Sequence, residues 1–211
     1  MICVSLAGLS FKECIEAIGQ SEFAEIRMDQ LNLSLDEFGS LFSLKKNLIA
    51  TCRSEHHTTE QRIEKLKKAI DSGAGYIDIE YESENEYREI LSLHAHKRHT
   101  LIIISYHNFE CTPSSDELDI IIQKSLLMKP DYIKITTMSN SIADNTRVLA
   151  LYERYPNIIA FCMGKPGKIT RVAAPLLGAK FTYAAYNKEL ATAPGQLTKE
   201  ELSKIYELME C

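Results

Sequence analysis

Eight short apolar runs, with helical patterns between most of them, restrict the folds open to this chain more than any other feature of its 211 residues. The runs cover residues 2–6, 24–28, 48–52, 76–80, 101–105, 132–136, 158–162 and 180–184. Each has the length and the aliphatic or aromatic content of a strand. Strands that alternate with helices build a parallel sheet, because a parallel pair needs a crossover connection. Eight such units of about 25 residues predict closure into one compact (β/α)8 barrel, a single domain over residues 1–211.

The intervening segments carry helix signals of their own. In the stretch 58–72, Ile63, Leu66, Ala69 and Ile70 share one stripe, and Gly73 follows as a residue suited to a left-handed C-terminal cap. A Ser or Thr with Glu three residues later predicts capping boxes at Ser10/Glu13, Ser34/Glu37, Ser83/Glu86, Ser114/Glu117 and Thr198/Glu201.

The composition, 45% hydrophobic and 25% charged, fits a globular domain. No apolar stretch is long enough to span a bilayer and no secretory signal opens the chain at Met1, so a cytoplasmic protein without membrane contact is expected. A net charge of −5 argues against a nucleic-acid partner. The six cysteines form no C-x-x-C pair, and Cys3, Cys52 and Cys162 fall inside strands, which predicts reduced thiols, most of them buried.

Strand alternation sorts the polar residues. Ser5, then Glu25, Arg27 and Asp29, Thr51 and Arg53, Asp78 and Glu80, Ser105 and His107, and Lys134 collect on one face, while the other is mostly aliphatic. In a barrel the aliphatic face packs on the helices, so the polar set points inward, near the strand ends where barrel active sites are built. Lys134 stands out, flanked by Ile133 and Ile135 in a strand that has no use for a cation except in an ion pair or in chemistry. Desolvation disfavours an ammonium and yields an amine able to attack a carbonyl. His107 belongs to the preceding strand, whose neighbouring position brings an imidazole within reach of the same substrate atom. Asp29, Asp78 and Glu80 read equally well as ion-pair scaffolding, with Asp78 a possible orienting partner for His107.

These residues carry a family resemblance. Glu25-Ile26-Arg27-Met28-Asp29, Ser105-Tyr106-His107-Asn108-Phe109, Lys134-Ile135, Met163-Gly164 followed by Thr170-Arg171, and Ala193-Pro194-Gly195-Gln196 together resemble type I 3-dehydroquinate dehydratase over essentially the whole chain. The resemblance implies a cytoplasmic, cofactor-free and metal-free (β/α)8 homodimer. It implies dehydration of the small molecule 3-dehydroquinate to 3-dehydroshikimate, in the shikimate pathway of aromatic amino acid biosynthesis. Lys134 would form a Schiff base and His107 act as general base and then general acid. Glu25 and Arg27 would bind ring hydroxyls, with Ser5 on the floor of the site and Arg53 near those hydroxyls; Arg171 would bind the carboxylate, and Thr192 and Gln196 would close over the ligand from a mobile loop, while Met163 and Tyr183 would form apolar walls. Where the family often has Glu-Gly-Gly after the strand-three arginine, this chain has Ser54-Glu55-His56-His57 after Arg53, and Thr192 replaces the commoner serine.

Other features read as structural. His94, His96 and His99 lack the shared helix face and the acidic neighbours of a metal site. Gly164 and Gly167 suit tight turning better than a phosphate cradle, and Tyr152, Tyr155 and Tyr206 suit packing. Two alternatives stay open: another Schiff-base barrel such as a sugar-phosphate aldolase, with Arg171 and the Ala193–Gln196 loop facing a phosphate, and a catalytically silent binding barrel, which would have no need of both Lys134 and His107.

Overall fold

A computed structural model describes residues 1–44 and 47–209, with His56 placed in its backbone only. In chain order the elements are β1 (Ile2–Leu6), α1 (Phe11–Gly19), β2 (Ala24–Arg27), α2 (Leu35–Leu44), β3 (Leu48–Thr51), a 3-10 turn (Ser54–His56), α3 (Thr59–Asp71), β4 (Tyr76–Glu80), α4 (Asn85–Arg98), β5 (Leu101–Asn108), α5 (Ser115–Leu126), β6 (Tyr132–Met138), α6 (Ile142–Leu149), α7 (Leu151–Arg154), β7 (Ile158–Met163), α8 (Lys168–Leu176), β8 (Thr182–Ala185) and α9 (Lys199–Met209). The strands are hydrogen-bonded in the order β7-β6-β5-β4-β3-β2-β1-β8, the sequential order of a (β/α)8 barrel. Their registers run parallel, with Ala24 opposite Leu48, Ile49 opposite Tyr76, and Ile133 opposite Ile158.

The chain packs as two compact units, Met1–Val4 with everything from Ile104 onward, and Ser5–Ile103. In the second unit α3 begins on the hydroxyl of Thr58, ends at Ser72, and hands over to Gly73 at φ 102°, a left-handed backbone that a Cβ would strain. Leu66, Ala69 and Ile70 form its buried stripe. Arg62 takes the place expected for Ile63, which is half-buried.

In the other unit Ile133 and Ile135 pack with Leu118 and Ile122 of α5, Val148 of α6, Leu151 of α7, and Ile158, Ala160 and Cys162 of β7. Their opposite number on β6, Lys134, therefore faces away from the helices, as alternation requires. The Tyr152 hydroxyl accepts from the Ala160 amide at 2.8 Å and donates to the Ala160 carbonyl at 2.7 Å, so it satisfies both backbone groups of one β7 residue.

Four of the expected capping boxes close, at Ser10/Glu13, Ser34/Glu37, Ser114/Glu117 and Thr198/Glu201. Ser83/Glu86 does not. Helix α4 starts one residue later, on Glu84, and the Arg88 guanidinium binds the Tyr81 and Ser83 carbonyls instead. Two further boxes, Thr58/Gln61 and Ser141/Asp144, use Gln and Asp in the third position. The cysteines at 3, 14, 52 and 162 are buried thiols and Cys111 is exposed, while Cys211 lies outside the described residues. His94 pairs with Asp71, and His99 caps α4 in the left-handed conformation.

Tyr152→Phe strands both Ala160 backbone groups in a buried strand. Urea unfolding should show a loss of about 1–3 kcal/mol, the cost of unsatisfied buried polar groups; an unchanged midpoint would mean that other groups satisfy Ala160.

Candidate active site

In the unit Ser5–Ile103, the β-strand ends gather a polar set in which nearly every charge has a partner. Glu25 on β2 is only 4% exposed. One carboxylate oxygen accepts from the Ser5 hydroxyl at 2.8 Å and the other from the Thr51 hydroxyl at 2.8 Å. Arg27 grips Asp29 in a bidentate pair, 3.1 and 2.6 Å. Arg53 pairs with Asp78 at 2.8 Å, and Arg62, reaching in from α3, pairs with Glu80 at 2.7 Å while lying 4.4 Å over the Tyr87 ring. Burial works against the Arg53 charge, but Asp78, Glu80 and Glu25 outweigh it and raise its pKa above the ordinary value.

Asp29, Asp78 and Glu80 thus act as ion-pair scaffolding for the arginines, which is what buried charge requires. Asp78 in particular, weighed above as an orienting group for His107, holds Arg53. After β3, where the resemblance leads one to expect Glu-Gly-Gly, the His57 ring nitrogen lies 2.6 Å from the Lys65 ammonium, which also donates to the Met28 carbonyl at 2.9 Å.

The other unit is built on aromatic rings. Lys134 on β6 is 4% exposed, and its Nζ lies 4.6 Å from the centre of the Tyr183 ring on β8. Tyr183 in turn meets Phe161 of β7, with ring centres 5.8 Å apart. Phe161, opposite Thr136 in the strand register, carries the Arg171 guanidinium 4.5 Å over its own ring. A line of amine, ring, ring and guanidinium results.

Arg171 on α8 is 1% exposed, its Nε has no hydrogen-bond partner, and among the described residues no carboxylate pairs with it. Burial pulls its pKa down to about 10, outweighing the opposing effect of Cys162. Its backbone is fixed from next door: the Thr170 hydroxyl accepts from the Cys162 amide at 2.7 Å and donates to the Gly167 carbonyl at 2.6 Å, tying the first turn of α8 to β7. Gly167 must be glycine, since a Cβ there would lie 2.5 Å from the Met163 carbonyl oxygen.

Strand β5 runs three residues beyond its expected end, so that His107 lies within it, half-buried and stacked on Phe109. Thr192 and Gln196 meet each other: the Gln196 Oε1 accepts from the Thr192 amide at 2.9 Å and its hydroxyl at 3.1 Å. Their loop is fastened to the β7–α8 turn by a bond from the Gly164 amide to the Pro194 carbonyl, 2.9 Å. With Lys165, Lys168 and Lys188 it lines an open depression of about 670 Å³.

Ser5, Glu25, Arg27 and Arg53 therefore fall in one unit, and His107, Lys134, Arg171, Thr192 and Gln196 in the other. Sequence reasoning missed Arg62 and Phe161. Arg62 sits in a helix whose stripe reads as well without it, and Phe161 sits in an all-apolar run where alternation carries no signal.

The family model of type I 3-dehydroquinase matches residues 2–211. The chain belongs to that family. It is 36% identical over 197 residues to the 3-dehydroquinate dehydratase of Thermococcus onnurineus, covering 90% of this chain and 89% of that one. Among solved structures, the 3-dehydroquinate dehydratase of Aquifex aeolicus VF5 superposes with a TM-score of 0.84 at 26% identity, over 99% of this chain and 98% of that one. The type I enzyme of Clostridium difficile, solved with covalently modified comenic acid, gives 0.85 at 23% identity over 99% and 91%. These superpositions match the chain's own fold, eight parallel strands with alternating helices. Family membership makes the chain a hydro-lyase, EC 4.2.1.10. Among the described residues no helix is long and apolar enough to cross a membrane.

The Asp29 carboxyl is raised by burial, but Arg27, a backbone amide and Arg53 together lower it more, and it ends below its ordinary value. The folded state then takes up this proton less readily than the unfolded chain. The stabilisation is complete above about pH 4 and fades as pH falls through the folded value. Asp29→Asn should therefore flatten the acid limb of a stability-versus-pH curve below about pH 4; an acid limb identical to that of the parent would show the Arg27 pair to be energetically idle.

Proposed function

We propose that this enzyme dehydrates 3-dehydroquinate to 3-dehydroshikimate through a Schiff base on Lys134, with His107 as general base and then general acid. The observation that carries this reading is the presence, within one unit, of a buried amine and a buried guanidinium that has no carboxylate of its own among the described residues. Such a cation calls for an anion from outside the protein, and a planar fork suits a carboxylate bidentately. A ligand with both a ketone and a carboxylate answers both groups.

In the proposed cycle Lys134 Nζ adds to the ketone carbon and water leaves, giving an iminium. His107 takes a proton from the adjacent carbon, and the electron pair is drawn toward the iminium nitrogen. The resulting enamine expels the hydroxyl one carbon further on, and the imidazolium returns its proton to that departing oxygen, so one molecule of water is lost. Hydrolysis of the conjugated iminium frees the enone and restores the amine. Glu25 and Arg27 bind ring hydroxyls on this reading, with Ser5 on the floor of the site and Arg53 near those hydroxyls, Arg171 binds the carboxylate, and Thr192 and Gln196 cover the ligand. The same reading makes the protein a cytoplasmic homodimer, which sedimentation would test. Family membership favours dehydration over the aldol cleavage of a sugar phosphate.

Borohydride added with substrate should fix an adduct on Lys134, located by mass spectrometry, and abolish turnover; an adduct on another lysine would sink the assignment. In His107→Ala the adduct should still form while turnover falls by roughly 10² to 10⁴, the span usual for a lost acid–base group. Unchanged turnover there would give His107 another job.

A further inference from the structure

We infer that Phe161 is a positioning residue for the reaction: its ring holds the Arg171 guanidinium in place, so that the N–H groups at the edge of the fork are presented to the carboxylate of the ligand. The inference rests on the reading of Arg171 as the carboxylate clamp.

Three observations lead to it. The Arg171 head is 1% exposed and its Nε is unpartnered, so neither solvent nor hydrogen bonding at that atom fixes the guanidinium. Its central carbon lies 4.5 Å from the centre of the Phe161 ring, within the range of a cation–π contact, which gains strength when both partners are desolvated. Phe161 itself cannot drift: it is 3% exposed, its strand position is fixed opposite Thr136, and Tyr183 backs it with ring centres 5.8 Å apart. The backbone of Arg171 is tied down through Thr170, but that clamp stops at the main chain. A long side chain with several rotatable bonds then needs a second hold at its far end, and Phe161 supplies it. An aliphatic side chain would fill the same space without the negative ring face.

Two effects of the ring oppose one another in ligand binding. A ring that only relieves the buried charge competes with the carboxylate, and weakening it would tighten binding. A ring that aims the fork works with the carboxylate, and weakening it loosens binding. The geometry favours aiming, because the guanidinium carbon sits over the ring while Nε is left unbonded, free of any competing protein acceptor.

The test replaces Phe161 with phenylalanines of increasing ring fluorination, which keep the shape of the side chain while draining the negative ring face. The KM for 3-dehydroquinate should climb stepwise, to about tenfold at the most fluorinated ring, with kcat altered by less than about twofold. Adduct trapping at Lys134 should persist, and Phe161→Tyr, which retains the ring, should bind like the parent. A KM that stays flat or falls along the series overturns the inference. In an Arg171→Met background the series should have no effect, and a climb there also overturns it, since the ring would then be acting on the ligand directly. If Arg171→Met alone leaves KM unchanged, the carboxylate reading fails, whatever the fluorinated series does.

Discussion

The cost of burying a guanidinium governs how the region around α8 is built. A cation removed from water needs a counter-charge, hydrogen bonds or a polarisable face. The unit Ser5–Ile103 answers with carboxylates, giving Arg27 to Asp29, Arg53 to Asp78 and Arg62 to Glu80. Among the described residues Arg171 has no such partner, and the surrounding structure keeps it in place. Thr170 ties its helix to β7, Gly167 lets the turn pass close to Met163, and the Tyr206 hydroxyl of α9 donates to the Val172 carbonyl one residue further on. The paired arginines are held by complementary charge; Arg171 is held by shape and rings.

Much of this architecture was legible in the sequence because it repeats. Period-two and period-3.6 patterns recur along the chain, and they located every strand to within a few residues. The boundaries failed where the signal changed kind. Strand β5 was read as ending at Ser105 because the polar and aromatic residues that follow no longer alternate with aliphatic ones, yet the ladder continues to Asn108. The box at Ser83 does not form because the Ser83 amide, which Glu86 would have to satisfy, already donates to the Glu80 carbonyl at 3.0 Å, and Glu84 becomes the residue before the helix. A spacing rule has no view of a backbone amide already taken by a turn.

The site was legible to the extent that polar residues in strands announce themselves. Lys134 and Glu25 are conspicuous against aliphatic neighbours, and both are buried as expected. Partnership was harder to read than position. Nothing local to Asp78 indicates that it serves Arg53, and nothing in the run Ile158–Met163 separates Phe161 from its apolar neighbours. Contacts made across strands are set by register and side-chain reach, quantities that a linear pattern does not encode.

The loop that carries Thr192 and Gln196 shares its anchor with the turn that leads to Arg171. The Gly164 amide bonds to the Pro194 carbonyl, and at Gly195, with φ 73°, an added Cβ would lie 2.4 Å from the Gly164 oxygen. Backbone lies on backbone with no side chain between. Outward travel of the loop must therefore break a bond in the turn that leads into α8, so that on the proposed reading, with Arg171 as the carboxylate clamp, the opening of the cover is felt at the foot of the helix that carries the clamp.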